Sequence, residues 1–128
     1  RLYEVFPFSN EVVRFEMTGA DLIGLMLRNA GAEGRRSAMQ VSGVRCTWRM
    51  RAGVPEIVDV KVGGEPVDPD AAYTAATNSY VIDRWSHNLG FEPQHTVVLE
   101  GTVFMAAQAM AAKGPIVPPP NPRMVRVD

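Results

Sequence analysis

The clearest periodic pattern lies in two consecutive segments near the start of the chain. Residues 12–17 alternate between apolar and polar or charged side chains, which is the period of a half-buried strand. An apolar stripe with helical spacing follows and predicts a helix over 18–30, with Leu25 among its core residues. Thr18 and Asp21 have the spacing of a capping box, with Asp in place of the usual Glu. We therefore expect a strand, a turn and then a helix.

A second pair of alternating runs predicts a β-hairpin. Apolar residues alternate with arginine and threonine over 44–51, and with acidic and basic residues over 58–62. Residues 53–55, Gly-Val-Pro, supply the turn between the runs. Cys46 falls on the apolar face and is expected to be buried and inert. The arginines on the other face could pair with Asp59 or bind phosphate; we favour a solvated face, because the charges of the chain balance.

The remaining chain contains shorter predicted elements. We expect a short strand at 73–77, an extended segment at 97–99, an Ala/Met helix at 102–113, an extended proline-rich tail at 114–120 and a last edge strand at 123–127. The stretch between the strand at 73–77 and the extended segment at 97–99 has no sustained hydrophobic period. It mixes aromatic and polar side chains. Irregular connections of this kind often carry function, so it is the expected functional loop.

Length and composition indicate one domain of ordinary size. The chain has 128 residues, of which 46% are hydrophobic, and this is enough for one modest core. We predict a single α+β domain over residues 1–128, with a mixed β-sheet and two main helices packed on it. The formal net charge of −1 gives no general attraction to nucleic acid. No apolar run reaches the ~20 residues of a membrane-spanning helix, and the one cysteine excludes an internal disulfide.

Common catalytic motifs are missing, whereas two loop aromatics stand out. His87 and His95 have no carboxylate or thiol at ligand spacing, so no metal site and no catalytic residue are predicted in this chain. Pro7 fixes its own backbone, which holds the ring of Phe8 in a defined direction. Phe8 and Phe91 each lie beside turn-forming residues, an arrangement that suits stacking on a flat ligand. The alternative is that Phe8 fills the core at a strand end.

Several motifs occur in a characteristic order along the chain. They are Pro7-Phe8-Ser9-Asn10, the helix start Thr18-Gly19-Ala20-Asp21-Leu22, the Ser42-Gly43 turn, the stretch from Pro66 to Asn78, and Gly114-Pro115-Ile116 with the later Arg123. Together they resemble the C-terminal, substrate-binding domain of the 5'-nucleotidase, UDP-sugar hydrolase and 2',3'-cyclic phosphodiesterase family. Each motif is weak alone, but the set is fairly specific at these separations.

This resemblance implies a secreted, two-domain phosphoester hydrolase. A pair of divalent metal ions is expected in an N-terminal metallophosphoesterase domain that is absent from this chain. The chain would be an incomplete C-terminal domain, inactive alone and without a cofactor of its own. Its implied partners are a nucleotide or nucleoside and that N-terminal domain, with no nucleic acid and no membrane span. The implied location is the periplasm or the cell exterior.

The resemblance also assigns a candidate substrate site. In the family, two aromatics sandwich the base, which corresponds to Phe8 and Phe91 here. Asn10 corresponds to a polar contact with the nucleoside, and Gly43 to a pocket wall that lets a ligand approach the backbone. The chain departs from the family in the loop before Phe91, and the ribose contact is unassigned, with Glu92 and His95 nearby.

Three alternatives remain from the sequence. The parent protein could act on cyclic nucleotides or nucleotide sugars instead of 5'-nucleotides. The chain could instead be a non-catalytic module that binds a protein through Trp85, His87, Phe91 and its proline-rich tail. Nucleic-acid binding through the arginines at 45, 49 and 51 is the interpretation that the net charge favours least.

Overall fold

The strands of this chain form two β-sheets. The computed structural model describes residues 10–35, 37–115 and 122–128. The strands are β1 (Glu11–Thr18), β2 (Val44–Arg51), β3 (Val54–Val62), β4 (Glu65–Pro66), β5 (Ala72–Asn78), β6 (Gln94–Thr102) and β7 (Met124–Arg126). The helices are α1 (Gly19–Gly31), α2 (Ser79–Asp83), α3 (Trp85–Asn88) and α4 (Val103–Ala112). The predicted α+β class is confirmed.

The two sheets belong to two compact units. Among the described residues, 10–17 and 73–115 form the first unit, and 18–72 and 122–128 form the second. The sequence predicted one mixed sheet, whereas the strands divide into a sheet of three and a sheet of four. Alternation identifies a strand but not its partner, and the partners here are often far apart in the chain. That these units make up one domain over 1–128 stays a prediction.

The first unit contains the sheet β5-β1-β6. Strand β1 pairs antiparallel with β6, and the predicted inward face of β1, which consists of Val13, Phe15 and Met17, is buried as expected. The stretch predicted as an irregular loop contains the short helices α2 and α3. Asn78 begins α2, because its side chain accepts a hydrogen bond of 3.0 Å from the backbone N–H of Val81. Helix α4 follows β6 and has the predicted extent within one residue at each end.

The second unit contains the sheet β4-β3-β2-β7, in which β2 and β3 are antiparallel and β2 and β7 are parallel. The hairpin and the edge strand β7 are as predicted. The hairpin turn is Ala52-Gly53, with both residues at positive φ, while Val54 and Pro55 already belong to β3. A turn with two positive φ angles matches the twist of the strands that it joins, which is why it is shorter than expected.

Helix α1 begins with the predicted capping box. Thr18 Oγ1 accepts a hydrogen bond of 3.1 Å from the backbone of Asp21, and the carboxylate of Asp21 accepts one of 3.2 Å from the backbone of Thr18. Met26 is 1% exposed, whereas Leu25 is half-buried, so the buried stripe centres on Met26. Asn29 closes the helix against the next segment, because its amide bonds both the N–H and the C=O of Met39.

The arginine face of β2 is paired differently from our expectation. Arg49 lies 3.0 Å and Arg51 3.6 Å from the carboxylate of Glu56, while Asp59 lies 3.7 Å from Lys61. Asp59 stands opposite Thr47 and not opposite an arginine. The nearest arginines, Arg45 and Arg49, are each two residues from Thr47 along β2. The β-bulge between Thr47 and the next residue shifts the register and brings Glu56 opposite Arg49.

Two parts of the sequence prediction lie outside the described residues. They are the Phe6-Pro7-Phe8 turn and the tail from 116 to 121. No helix within the described part of the chain is both long and apolar enough to cross a membrane.

Candidate functional site

Phe91 lies in the first unit at the end of a tightly closed turn. The C=O of Trp85 accepts hydrogen bonds of 2.7 Å from Leu89 and 3.0 Å from Gly90. Leu89 is buried, and Gly90 has a φ of 82°, a conformation that glycine adopts without strain. The next ring, that of Phe91, is half-buried and tilted by 38° against Phe15, with 6.5 Å between ring centroids. One part of this ring is therefore anchored on the core while another part reaches solvent.

Asn10 also belongs to the first unit. Its backbone C=O accepts a hydrogen bond of 2.8 Å from Val103, the first residue of α4. The side chain is half-buried and makes no hydrogen bond with any residue that the structure describes. The backbone is thus fixed, and the side-chain amide has two donors and an acceptor that bond no described residue.

Gly43 lies in the second unit, directly before β2. Its φ of 79° favours glycine, and a Cβ added there would have no neighbour within 4 Å. The residue borders an open groove of about 640 Å³. The side chains that line this groove are mostly polar or charged: Arg45, Thr47, Asp59, Lys61 and Arg123.

The four predicted site residues therefore do not all belong to one unit. Asn10 and Phe91 share the first unit, Gly43 belongs to the second, and Phe8 lies outside the described residues. The sandwich of a base between two phenylalanines stays a prediction.

Of the two histidines, His95 has a carboxylate partner that the sequence did not indicate. Its Nδ1 lies 2.7 Å from Glu16 Oε2, and its φ of 50° is unusual for a residue with a side chain. Glu16 and Phe15 are consecutive in β1 and point to opposite faces of the sheet. The His95–Glu16 pair is therefore on the other face from the contact between Phe15 and Phe91. No cluster of three or more potential metal ligands occurs among the described residues.

Cys46 is fully buried in the second unit, as predicted. Burial raises the pKa of its thiol from 9.0 to about 11, and the charge of Asp59 adds to this shift. The thiol is therefore protonated at neutral pH, the form in which a thiol is a poor nucleophile.

The cations of the groove were only partly visible in the sequence. The hairpin prediction could have placed Arg45 beside Lys61, because antiparallel pairing brings the two residues opposite each other. Arg123 could not have been added, because it reaches the groove through the parallel pairing of β7 with β2 across a long stretch of chain.

A protein-family model and several solved structures are similar to this chain. A model of the family described as "5'-nucleotidase, C-terminal domain" matches residues 1–89. Similar solved structures include a 5'-nucleotidase precursor from Thermus thermophilus, with 19% identity and a TM-score of 0.75 over 99% of this chain. They also include an NAD nucleotidase from Haemophilus influenzae, with 19% identity and a TM-score of 0.68 over 98%.

A putative 5'-nucleotidase from Staphylococcus aureus has the same fold, with 14% identity and a TM-score of 0.64 over 98% of this chain. The chain spans 27%, 24% and 29% of these three proteins, respectively. At such identities the likeness to solved structures shows the fold alone. No curated protein sequence matches the chain.

Proposed function

Because the chain belongs to the family of 5'-nucleotidase C-terminal domains, we propose that it binds the nucleoside part of the substrate of a phosphoester hydrolase. The observation that carries this proposal is the family match over residues 1–89. The metal ions that would assist cleavage are expected in a separate N-terminal domain, and the whole protein is expected in the periplasm or outside the cell. This chain would supply binding and orientation.

Phe91 is the best-supported contact for the base. Its anchored, half-exposed ring is suited to stacking, since little side-chain freedom remains to be lost on binding. Phe8 would cover the other face of the base. Asn10 would bond the nucleoside through its side-chain amide, which bonds no residue that the structure describes. Gly43, which belongs to the second unit, stays a predicted contact. Stacking of a base on one aromatic ring contributes about 1–3 kcal/mol.

The test is calorimetric titration of the chain with adenosine and with uridine. Phe91→Leu keeps an apolar contact with Phe15 but removes the aromatic ring, so it should weaken binding about tenfold with little change in stability. Tyr80→Leu is the matched control, because Tyr80 is an exposed aromatic residue of the same unit. Unchanged affinity in Phe91→Leu, or an equal loss in Tyr80→Leu, would contradict the assignment of Phe91.

A second candidate function is favoured by one observation. Large apolar side chains are exposed on β6 and α4, with Val98, Met105 and Met110 each more than half exposed. Surfaces of this kind often bind proteins. If neither nucleoside binds and Met105→Ser with Met110→Ser abolishes capture of a partner, the chain is a protein-interaction module.

A further inference from the structure

A row of three cations crosses one face of the second sheet. Arg45 of β2 stands opposite Lys61 of β3. The N–H of Cys46 donates a hydrogen bond of 2.7 Å to the C=O of Arg123, which places Arg123 beside Arg45 on the other side of β2. Because Cys46 is fully buried, the adjacent Arg45 points to the opposite, open face. All three cations line the open groove, and we call them the cation row.

The protein only partly neutralises the cation row. Lys61 lies 3.7 Å from Asp59, but Arg45 and Arg123 form no ion pair with any residue that the structure describes. Neighbouring strands are only about 4.8 Å apart, and like charges directly opposite each other destabilise a sheet. A chain with a net charge of −1 thus concentrates three positive charges against one negative charge in a single groove. A bound dianion would relieve this repulsion.

The other two arginines on this face of β2 do have a carboxylate partner. Arg49 and Arg51 share Glu56, which stands opposite Arg49 on β3. On this face of the sheet, the arginines that pair with no described carboxylate, Arg45 and Arg123, therefore lie together where β2, β3 and the start of β7 meet. This distribution distinguishes the groove from a generally solvated arginine face.

The next cross-strand pair indicates what kind of anion fits. Thr47 stands opposite Asp59, so a hydroxyl group and a carboxylate group lie directly beside the cation row. A carboxylate repels phosphate but accepts hydrogen bonds from ligand hydroxyl groups. Gly63 and Gly64 at the end of β3 leave the wall of the groove open, because a Cβ at either position would meet nothing within 4 Å.

We infer that this groove binds an organic phosphate that carries free hydroxyl groups. Its phosphate lies on the cation row, and its hydroxyl groups reach Thr47 and Asp59. The inference goes beyond the proposed nucleoside site, since it requires none of Phe8, Asn10 and Phe91; Gly43 borders the groove. The phosphate can come from a nucleotide or from a separate sugar phosphate.

The test is an NMR titration of the full chain at constant ionic strength with ribose 5-phosphate, inorganic phosphate, ribose and adenosine monophosphate. We expect saturable shifts at the amides of Arg45, Thr47, Lys61 and Arg123 with ribose 5-phosphate, weaker binding of inorganic phosphate and none of ribose. Tighter binding of adenosine monophosphate than of ribose 5-phosphate, at these same amides, would identify a nucleotide as the source. The reverse order would identify a sugar phosphate.

Substitutions distinguish specific binding in the groove from general electrostatic attraction of anions to the protein surface. Arg45→Gln should weaken ribose 5-phosphate binding about tenfold, since it removes a charge-assisted hydrogen bond. Arg51→Gln is the matched control, because Arg51 has the same residue type, strand and face but lies outside the groove. Asp59→Asn should reduce the preference for ribose 5-phosphate over inorganic phosphate. The inference is overturned if chloride produces the same shifts as phosphate, or if Arg51→Gln loses as much affinity as Arg45→Gln.

Discussion

At the scale of single residues, two glycines of α1 illustrate how position decides the effect of a methyl group. Gly19 is buried, and its N–H donates a hydrogen bond of 2.9 Å to the C=O of Ala71. A Cβ at Gly19 would collide with the backbone carbonyl of Asp68. Gly24 is exposed, and a Cβ there would have no neighbour within 4 Å. The same substitution should therefore have opposite effects at the two positions.

We predict that Gly19→Ala destabilises the chain by more than about 2 kcal/mol, because backbone must move to accept the methyl group. Gly24→Ala should stabilise it by roughly 0.5–1 kcal/mol through helix propensity. Urea denaturation of both variants measures the free energies of unfolding. Similar values for the two variants would show that the close approach of Gly19 to Asp68 is not present in solution.

Two neighbouring apolar residues of α1, in the second unit, also differ in burial. Met26 is almost fully buried, whereas Leu27 is 40% exposed. We predict that Met26→Ala costs about 2–5 kcal/mol of stability, because it leaves a cavity, and that Leu27→Ala costs much less. Thermal or urea denaturation distinguishes the two. An equal cost for both substitutions would contradict the orientation of α1.

The buried thiol makes stability depend on pH at the alkaline end. The pKa of Cys46 rises from 9.0 to about 11 on folding, so below pH 9 the thiol is neutral in both states. Between these values the unfolded chain releases the proton first, and stability should fall by up to about 1.4 kcal/mol per pH unit. Cys46→Ala should be less stable at pH 7 but should lack this part of the decline. Identical pH profiles for the two proteins would show that the thiol is accessible.

At the scale of elements, local signals and the β2–β3 hairpin were predictable from the sequence, whereas the pairings between distant strands were not. The capping box of α1 and the alternation of β1 involve residues close in the chain, and both are confirmed. The turn of the β2–β3 hairpin was placed one or two residues late, because Pro55 suggested a turn where the structure has a strand. The parallel pairing of β7 with β2 joins residues that are 78 positions apart, such as Cys46 and Met124, and alternation does not reveal such a pairing.

The capping box itself is testable. Thr18→Ala removes an acceptor for the N–H of Asp21 and should cost about 1 kcal/mol. Thr18→Ser keeps the hydroxyl group and should restore most of the loss. Denaturation curves of the two variants provide the measurement, and an equal loss in both would show that the methyl group of Thr18 matters more than its hydroxyl group.

At the scale of the whole molecule, the family and the fold class were predictable, but the candidate site was only partly so. The order of short motifs indicated the family that the comparisons confirm over residues 1–89. Asn10 and Gly43 were assigned from this resemblance, and their site roles stay predictions. The structure adds a hydrogen bond from Val103 to the backbone of Asn10 and the positive φ of Gly43. The contact of Phe91 with Phe15 and the pairing of His95 with Glu16 could not be predicted, because each joins residues more than 70 positions apart.

The proposed function of this chain is to hold a nucleoside, with Phe8, Asn10, Gly43 and Phe91 as the predicted site residues. The most direct test is an NMR titration of the chain with adenosine and with uridine that follows the amides around Phe8, Asn10, Gly43 and Phe91. We predict saturable shifts at Phe8, Asn10 and Phe91 with a common affinity, and the tighter ligand identifies the preferred base. A folded chain whose amides do not respond at these positions would contradict the claim and favour the protein-interaction function.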